Sequence, residues 1–211
     1  MVSVVIIDDA VNYGVFKSID SFSYYEVSDT VKPCLPNHGH LTHATICGAI
    51  IKHYAPQIKL INLNIFSPQS AYADVNKFAS ALHWCALQRV DVVHLSVGSV
   101  TKSDKIRLCH PFNEALNAGC CVIASVSNTN VETFPADFLG AISVISDPLL
   151  RDDQFYILHN KNQRVRFAAS ASHSLLKCDG SCFKTKNSNS FATPLITAKI
   201  ATQLALFKDK V

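Results

Sequence analysis

The sequence is poor in charge: only 17% of its 211 residues are Asp, Glu, Lys or Arg, whereas 48% are hydrophobic. This balance argues against disorder, because a chain of this length and composition can bury its own core. The basic residues are scattered and the formal net charge is only +3, so the basic stripe of a nucleic-acid binder is missing. No apolar run approaches the ~20 residues needed to cross a bilayer. We expect a single domain over residues 1–211, with no nucleic-acid or membrane partner.

The first residues do not resemble a secretory signal, and we expect none. The apolar run at residues 2–7 is short, lacks a basic lead-in and runs directly into Asp8 and Asp9. Eight cysteines without a signal indicate reduced thiols rather than a disulfide framework. We therefore expect a soluble, cytoplasmic protein. In the polar loop that contains them, Cys178 and Cys182 could close a small disulfide or join a metal site, although two free thiols are the simpler interpretation.

The chain does contain alternating strand-like and helical segments, which predict an α/β protein with a mostly parallel central sheet flanked by helices. Active groups in such sheets gather at the carboxyl ends of strands. Asp8, Ser96 and Asn128 occupy such ends. The predicted strands are 2–7, 59–65, 92–96, 120–125 and 141–146; the helices are 43–53, 74–88, 111–118 and 190–207; polar loops occupy 147–163 and 177–189.

Two further segments carry chemistry-bearing side chains at helix starts. His43 opens a helix whose small residues allow a close approach to the sheet, and Ala55-Pro56 follows that helix. Ser190 stands at the start of the last helix, where backbone N–H groups can stabilise an oxyanion. Each residue alone has a simpler explanation, since a serine at this position is commonly an N-cap.

Taken together, the segments around Asp8, His43 and Ser190 resemble the aspartate, histidine and serine motifs of the subtilases, in the order Asp, His, Ser. The serine segment, residues 187–194, resembles Gly-Thr-Ser-Met-Ala-x-Pro in its serine, alanine and proline. Residues 91–98 resemble the substrate-binding strand, and residues 119–128 resemble the strand that ends in the oxyanion asparagine. The resemblance implies a subtilisin-like three-layer sandwich.

The resemblance further implies a serine endopeptidase with Asp8, His43 and Ser190 as its triad and Asn128 as its oxyanion donor. An extended peptide or protein substrate would lie along Ser96, Val97 and Gly98, and Ser125, Val126 and Ser127 would form the S1 wall. The side chains in that wall predict a narrow pocket and small P1 residues. No cofactor or metal is required, and calcium dependence is not expected because the helix after His43 is uninterrupted. The resemblance also implies a specific processing role, such as removal of a leader from a ribosomally made peptide.

Several neighbouring residues depart from the family pattern. Asp9-Ala10 replaces Ser-Gly, Ala44 replaces glycine, and Ser188-Asn189 replaces Gly-Thr. A second carboxylate at Asp9 could shift proton affinities in the triad. These departures leave open a catalytically inactive protein that keeps the fold and binds peptides.

Two alternatives concern the histidines. His40 is a rival to His43, because His40-Leu-Thr-His locally mimics the motif, although it misplaces the Ala-Pro pair. A zinc site is the other alternative, since His38, His40 and His43 lie close in sequence to Cys34 and Cys47. The sequence does not indicate the oligomeric state.

Overall fold

A computed structural model describes residues 1–35, 38, 40–67, 72–129, 131–158 and 165–208. It contains one nine-stranded sheet and a separate two-stranded hairpin. The strands are β1 (Ser3–Asp8), β2 (Ser23–Val27), β3 (Val31–Pro33), β4 (Lys59–Asn64), β5 (Val92–Leu95), β6 (Cys121–Ser125), β7 (Ile142–Ser146), β8 (Phe155–Leu158), β9 (Arg166–Ala169), β10 (Ser174–Leu176) and β11 (Cys182–Lys184); the helices are α1 (His43–Tyr54), α2 (Val75–Gln88), α3 (Lys102–Asn117) and α4 (Asn189–Lys208).

The large sheet has the order β3-β2-β4-β1-β5-β6-β7-β9-β8 and is parallel except at its two antiparallel edges, β2–β3 and β8–β9. β1 is paired on both sides, by β4 and β5. Its residues 4–8 are all buried, as expected for a strand with both faces covered. The pairing with β4 reaches the carboxyl end of β1, where Asp8 lies opposite Asn64, whereas β5 pairs with residues 4–6.

The core lies in two layers. Residues of α1 and α4 pack on one face of the sheet, around Ile6, Ile50 and Leu195, and residues of α2 and α3 pack on the other, around Ile7, Leu82 and Phe112. This is the three-layer α/β architecture that the sequence predicts. None of the helices in the described ranges is long and apolar enough to span a membrane.

Helix α3 differs from its prediction. The predicted segment was 111–118, whereas the helix begins nine residues earlier, at Lys102. Its first half is polar and exposes Ile106, so it lacks the apolar periodicity that reveals a helix. Pro111, which looks like a first-turn proline, lies inside the helix.

The two predicted polar loops also contain strands. β8 lies within 147–163 and β11 within 177–189, and residues 159–163 of the first loop fall outside the described residues. Both strands are short, and each pairs antiparallel with a neighbour. The side chains of Phe155, Tyr156 and Ile157 in β8 are exposed at the edge of the sheet. Strands this short carry too little patterning to be distinguished from loop.

Candidate active site

Asp8 and His43 form the centre of the candidate site. Asp8 is the last residue of β1 and is 1% exposed, and its Oδ2 lies 2.8 Å from Nδ1 of His43, the first residue of α1. Asp8 Oδ1 accepts a 2.8 Å hydrogen bond from the backbone N–H of Asp9. Both carboxylate oxygens of this buried group are thereby satisfied.

The environment of His43 favours its charged form. Burial by itself would lower the pKa of His43, but the hydrogen bond and charge of Asp8, with a smaller contribution from the charge of Asp9, raise it above the usual value. The ring packs at 5.5 Å from that of Phe191, at the start of α4. The imidazole therefore lies between Asp8 and the element that carries Ser190.

Ser190 is held mainly by its backbone. Its carbonyl accepts a 3.0 Å hydrogen bond from Ser96 Oγ and a 3.6 Å contact from Cys47 Sγ, one turn after His43 on α1. Its N–H donates to Ser188 Oγ at 3.3 Å. In the ranges that the structure covers, no hydrogen bond joins Ser190 Oγ to His43.

Asn128 lies beside the same segment. Its Oδ1 accepts from the backbone N–H of Asn189 at 2.9 Å, and its Nδ2 donates to Ser188 Oγ at 3.4 Å. The side-chain amide of Asn128 and the N–H of Ser190 thus converge on one oxygen. The geometry brings together the four groups singled out from the sequence. Among the described residues, however, the hydrogen bond from Ser190 Oγ to His43 is not formed.

Sequence reasoning missed the role of Asn189, noted above only as a departure from the family. This buried side chain accepts from the N–H and hydroxyl of Ser146 at 2.7 and 2.9 Å, and donates to the carbonyls of Val126 and Ser127 at 3.1 Å each. It fastens the start of α4 to the ends of β6 and β7. No local pattern reveals such a contact, because its partners lie more than 40 residues away.

The residues expected to bind substrate divide into two groups. The Ser96 hydroxyl points inward, to Ser190 and His94, whereas Val97 and Gly98 line a pocket of about 430 Å³ with Val75 and Phe78. Ser125 and Val126 are buried, and Val126 packs into the α2–α3 core layer; Ser127 is half-buried, with its hydroxyl on Thr129. The residues expected to form the S1 wall therefore lie partly in the buried core.

His94 links Ser190 to the interior through Ser96. The ring is fully buried, with Nδ1 2.8 Å from Thr197 Oγ1 and Nε2 2.9 Å from Ser96 Oγ. Burial, and secondarily the charge of His43, lowers the pKa of His94 to about 3. His94 is therefore a neutral ring that can donate through only one nitrogen.

The rival histidine and the zinc alternative gain no support. His43 contacts Asp8. The backbone carbonyl of His40, in contrast, accepts a 3.0 Å hydrogen bond from Asn12 Nδ2, and the ring of His38 stacks on Tyr13. Among the described residues, Asp8, His43 and Cys47 are the one group of three metal-binding side chains close enough to share an ion. Burial raises the pKa of Cys47 well above its usual value, so this thiol is a protonated, poor ligand.

Several solved protease structures have a fold similar to that of this chain. The fold resembles that of the prenylagaramide maturation protease PagA, with a TM-score of 0.76 and 18% identity over 99% of this chain and 77% of that chain. The nisin leader peptidase NisP from Lactococcus lactis gives 0.69 and 14% over 98% and 78%. A cold adapted subtilisin-like serine proteinase gives 0.70 and 18% over 97% and 75%. At these identities the likeness concerns the fold.

The family follows from the sequence itself. A comparison with curated proteins gives no significant match. The model of the subtilase family, peptidase S8, in contrast matches residues 2–210. Because this match spans nearly the whole chain, the protein belongs to the subtilase family and is a subtilisin-like serine endopeptidase.

Proposed function

We propose that the protein hydrolyses peptide bonds by acyl transfer to water, with Ser190 as nucleophile, His43 as general base and Asp8 as the group that orients the imidazole. The observation that carries this proposal is the 2.8 Å contact between Asp8 Oδ2 and His43 Nδ1. Because the Nδ1–H of His43 is donated to the Asp8 carboxylate, Nε2 is free to take the proton of Ser190 Oγ and to return it to the leaving amine. The hydrogen bond and charge of Asp8, which raise the pKa of His43, also stabilise the imidazolium formed between these two steps.

The absence of a hydrogen bond between Ser190 Oγ and His43 in the described residues is compatible with this role, because catalytic hydrogen bonds often tighten only when substrate is bound.

The oxyanion site is supported by the convergence of two donors. Asn128 Nδ2 and the N–H of Ser190 both point to Ser188 Oγ, at 3.4 and 3.3 Å. An oxygen near that place would receive both hydrogen bonds, which is the arrangement that stabilises a tetrahedral oxyanion.

The substrate side of the proposal is an extended peptide along residues 96–98 with a small P1 residue, consistent with a specific processing enzyme. Relatives in fold include proteins described as a maturation protease and a leader peptidase. Leader removal from a ribosomally made peptide is the role we propose. A cytoplasmic location is supported by the eight cysteines, all free, four of which are exposed.

Labelling with a serine-directed fluorophosphonate tests the proposal. Wild type and Ser190→Ala are treated in parallel, and the modified peptide is located by mass spectrometry. We expect labelling at Ser190 that is lost in the variant, and cleavage profiling of the active protein that favours Gly, Ala or Ser at P1. Folded wild-type protein that resists labelling would support the peptide-binding alternative, and a preference for Phe or Leu would contradict the narrow S1 pocket.

A further inference from the structure

The first turn of α1 is held by two side chains. A helix leaves its first N–H groups without partners inside the helix. Here Asp9 Oδ2 accepts from the N–H of His43 at 3.1 Å, Asp9 Oδ1 accepts from that of Ala44 at 2.8 Å, and Thr42 Oγ1 accepts from that of Thr45 at 3.2 Å. The carboxylate of Asp9 therefore binds the very residue whose ring Asp8 holds.

Asp9 is itself fixed to the sheet. Its carbonyl accepts a 3.0 Å hydrogen bond from Nδ2 of Asn62, a fully buried residue of β4, and Asn62 Oδ1 accepts from the N–H of Val11 at 2.9 Å. Asn62 thus holds the turn after β1 on both sides of Ala10. The path from β4 through Asp9 to the helix start consists of hydrogen bonds between packed groups.

We propose that Asp9 is a positioning residue for His43, whose carboxylate clamps the first turn of α1 so that the imidazole stays on Asp8. This inference rests on the proposed role of His43 as the base. The two adjacent carboxylates divide the work: Asp8 holds the ring through Nδ1, and Asp9 holds the backbone of the same residue. Negative charge at a helix N-terminus is favourable, which suits a carboxylate here better than the serine usual in the family.

Asp9 also acts on His43 through its charge. The titratable groups that face it are Asp8, His43 and, deeper on α1, Cys47. Burial and then the charge of Asp8 raise the pKa of Asp9 to about 6, against the hydrogen bonds from Ala44 and His43. The Asp9 carboxylate is thus ionised at neutral pH, where its charge favours the imidazolium form of His43.

Asp9→Asn tests this inference, because it keeps the shape of the side chain but loses the charge and one acceptor oxygen. The rate of fluorophosphonate labelling at Ser190 is measured from pH 5 to pH 9, and the pKa of His43 is measured by NMR of its imidazole C–H protons. We expect labelling at least about 10-fold slower, as for a displaced catalytic group. The acid side of the pH profile of the labelling rate should move to lower pH, and the pKa of His43 should be lower than in wild type.

Asp74→Asn is the matched control, since Asp74 caps α2 by accepting from the N–H of Asn76. The Asp74→Asn substitution should leave the pH dependence of labelling at Ser190 and the pKa of His43 unchanged. An Asp9→Asn protein with wild-type rate and wild-type pKa for His43 would overturn the proposal. Asp9→Ser, which restores the residue usual in the family, is measured in the same way should Asp9→Asn not fold. Failure of wild type to label would count against the proposed function alone, because the NMR titration reads the Asp9–His43 coupling without activity.

Discussion

At the scale of single residues, Ser188 occupies an unusual place. Its hydroxyl accepts from Ser190 N–H, as an N-cap does, and also from Asn128 Nδ2. In the proposed mechanism both donors are required by the oxyanion. The hydroxyl of Ser188 is therefore a competing acceptor that a substrate carbonyl has to displace.

Replacing Ser188 with the glycine usual in the family removes this competitor. We expect Ser188→Gly to label with fluorophosphonate severalfold faster than wild type, because both donors are free when the tetrahedral adduct forms. Loss of the cap should cost only a few tenths of a kcal/mol, since glycine is itself tolerated at N-caps. Ser188→Thr keeps a hydroxyl and should keep the wild-type rate. A slower Ser188→Gly protein would show that the hydroxyl assists the reaction.

The sequence predicted the pairing of Asp8 with His43, because both residues lie in segments with a recognisable local pattern. It predicted an effect of the Asp9 charge on the triad, but not the hydrogen bonds of Asp9 to α1 or the roles of Asn189 and His94. Apart from the contact between His94 and Ser96, these side chains act through hydrogen bonds to partners that are 34 to 103 positions away along the chain. Such partners are determined by strand order and helix packing, which no local spacing encodes.

At the scale of elements, Asn189 attaches the start of α4 to the sheet. Four hydrogen bonds join this side chain to residues at the ends of β6 and β7. Because its partners are buried or half-buried, truncation would leave several polar groups without hydrogen bonds.

We expect Asn189→Ala to lower the free energy of unfolding by roughly 2–3 kcal/mol and to slow labelling of Ser190. Urea denaturation measures the first effect and fluorophosphonate the second. Asn113→Ala, at an exposed position of α3, is the control and should change stability by less than about 0.5 kcal/mol. A loss in Asn189→Ala no larger than that of the control would contradict the assigned role.

Element prediction succeeded where burial imposes a pattern. The strands β1, β4, β5, β6 and β7 form the buried interior of the sheet, and their apolar runs identify them within one or two residues. The strands β2, β3 and β8 lie at or next to the edges of the sheet, are three to five residues long and are mostly half-buried or exposed, so no buried apolar run distinguishes them. The first half of α3 escaped prediction for the same reason, since exposure there removes the apolar periodicity.

At the scale of the whole molecule, His94 couples stability to pH. The ring has a pKa of about 3 in the folded protein and an ordinary value near 6.5 when unfolded. Above pH 6.5 it is neutral in both states and has no effect. As the pH falls from 6.5 towards 3, the unfolded state binds a proton that the folded state does not, so stability decreases on acidification.

His94→Asn removes this coupling. Between pH 6 and pH 4 we expect the stability of wild type to fall more steeply than that of the variant, by up to about 1.4 kcal/mol per pH unit. Chemical denaturation at several pH values measures the difference. Asp9 has the opposite sign, because its raised pKa makes stability increase as the pH falls through 6, but it is present in both proteins and cancels. Parallel curves would contradict a neutral buried His94.

The position of α4 along the chain has a consequence for synthesis. This helix follows all the other described elements, yet it packs beside α1 on one face of the sheet and carries Ser190 at its start. Chains are made from the amino terminus and fold progressively as they emerge. A nascent chain can therefore bring Asp8 and His43 together long before the nucleophile exists. Hydrolytic capacity would emerge only once translation has passed α4, so unfinished chains could not attack their neighbours on the same polysome.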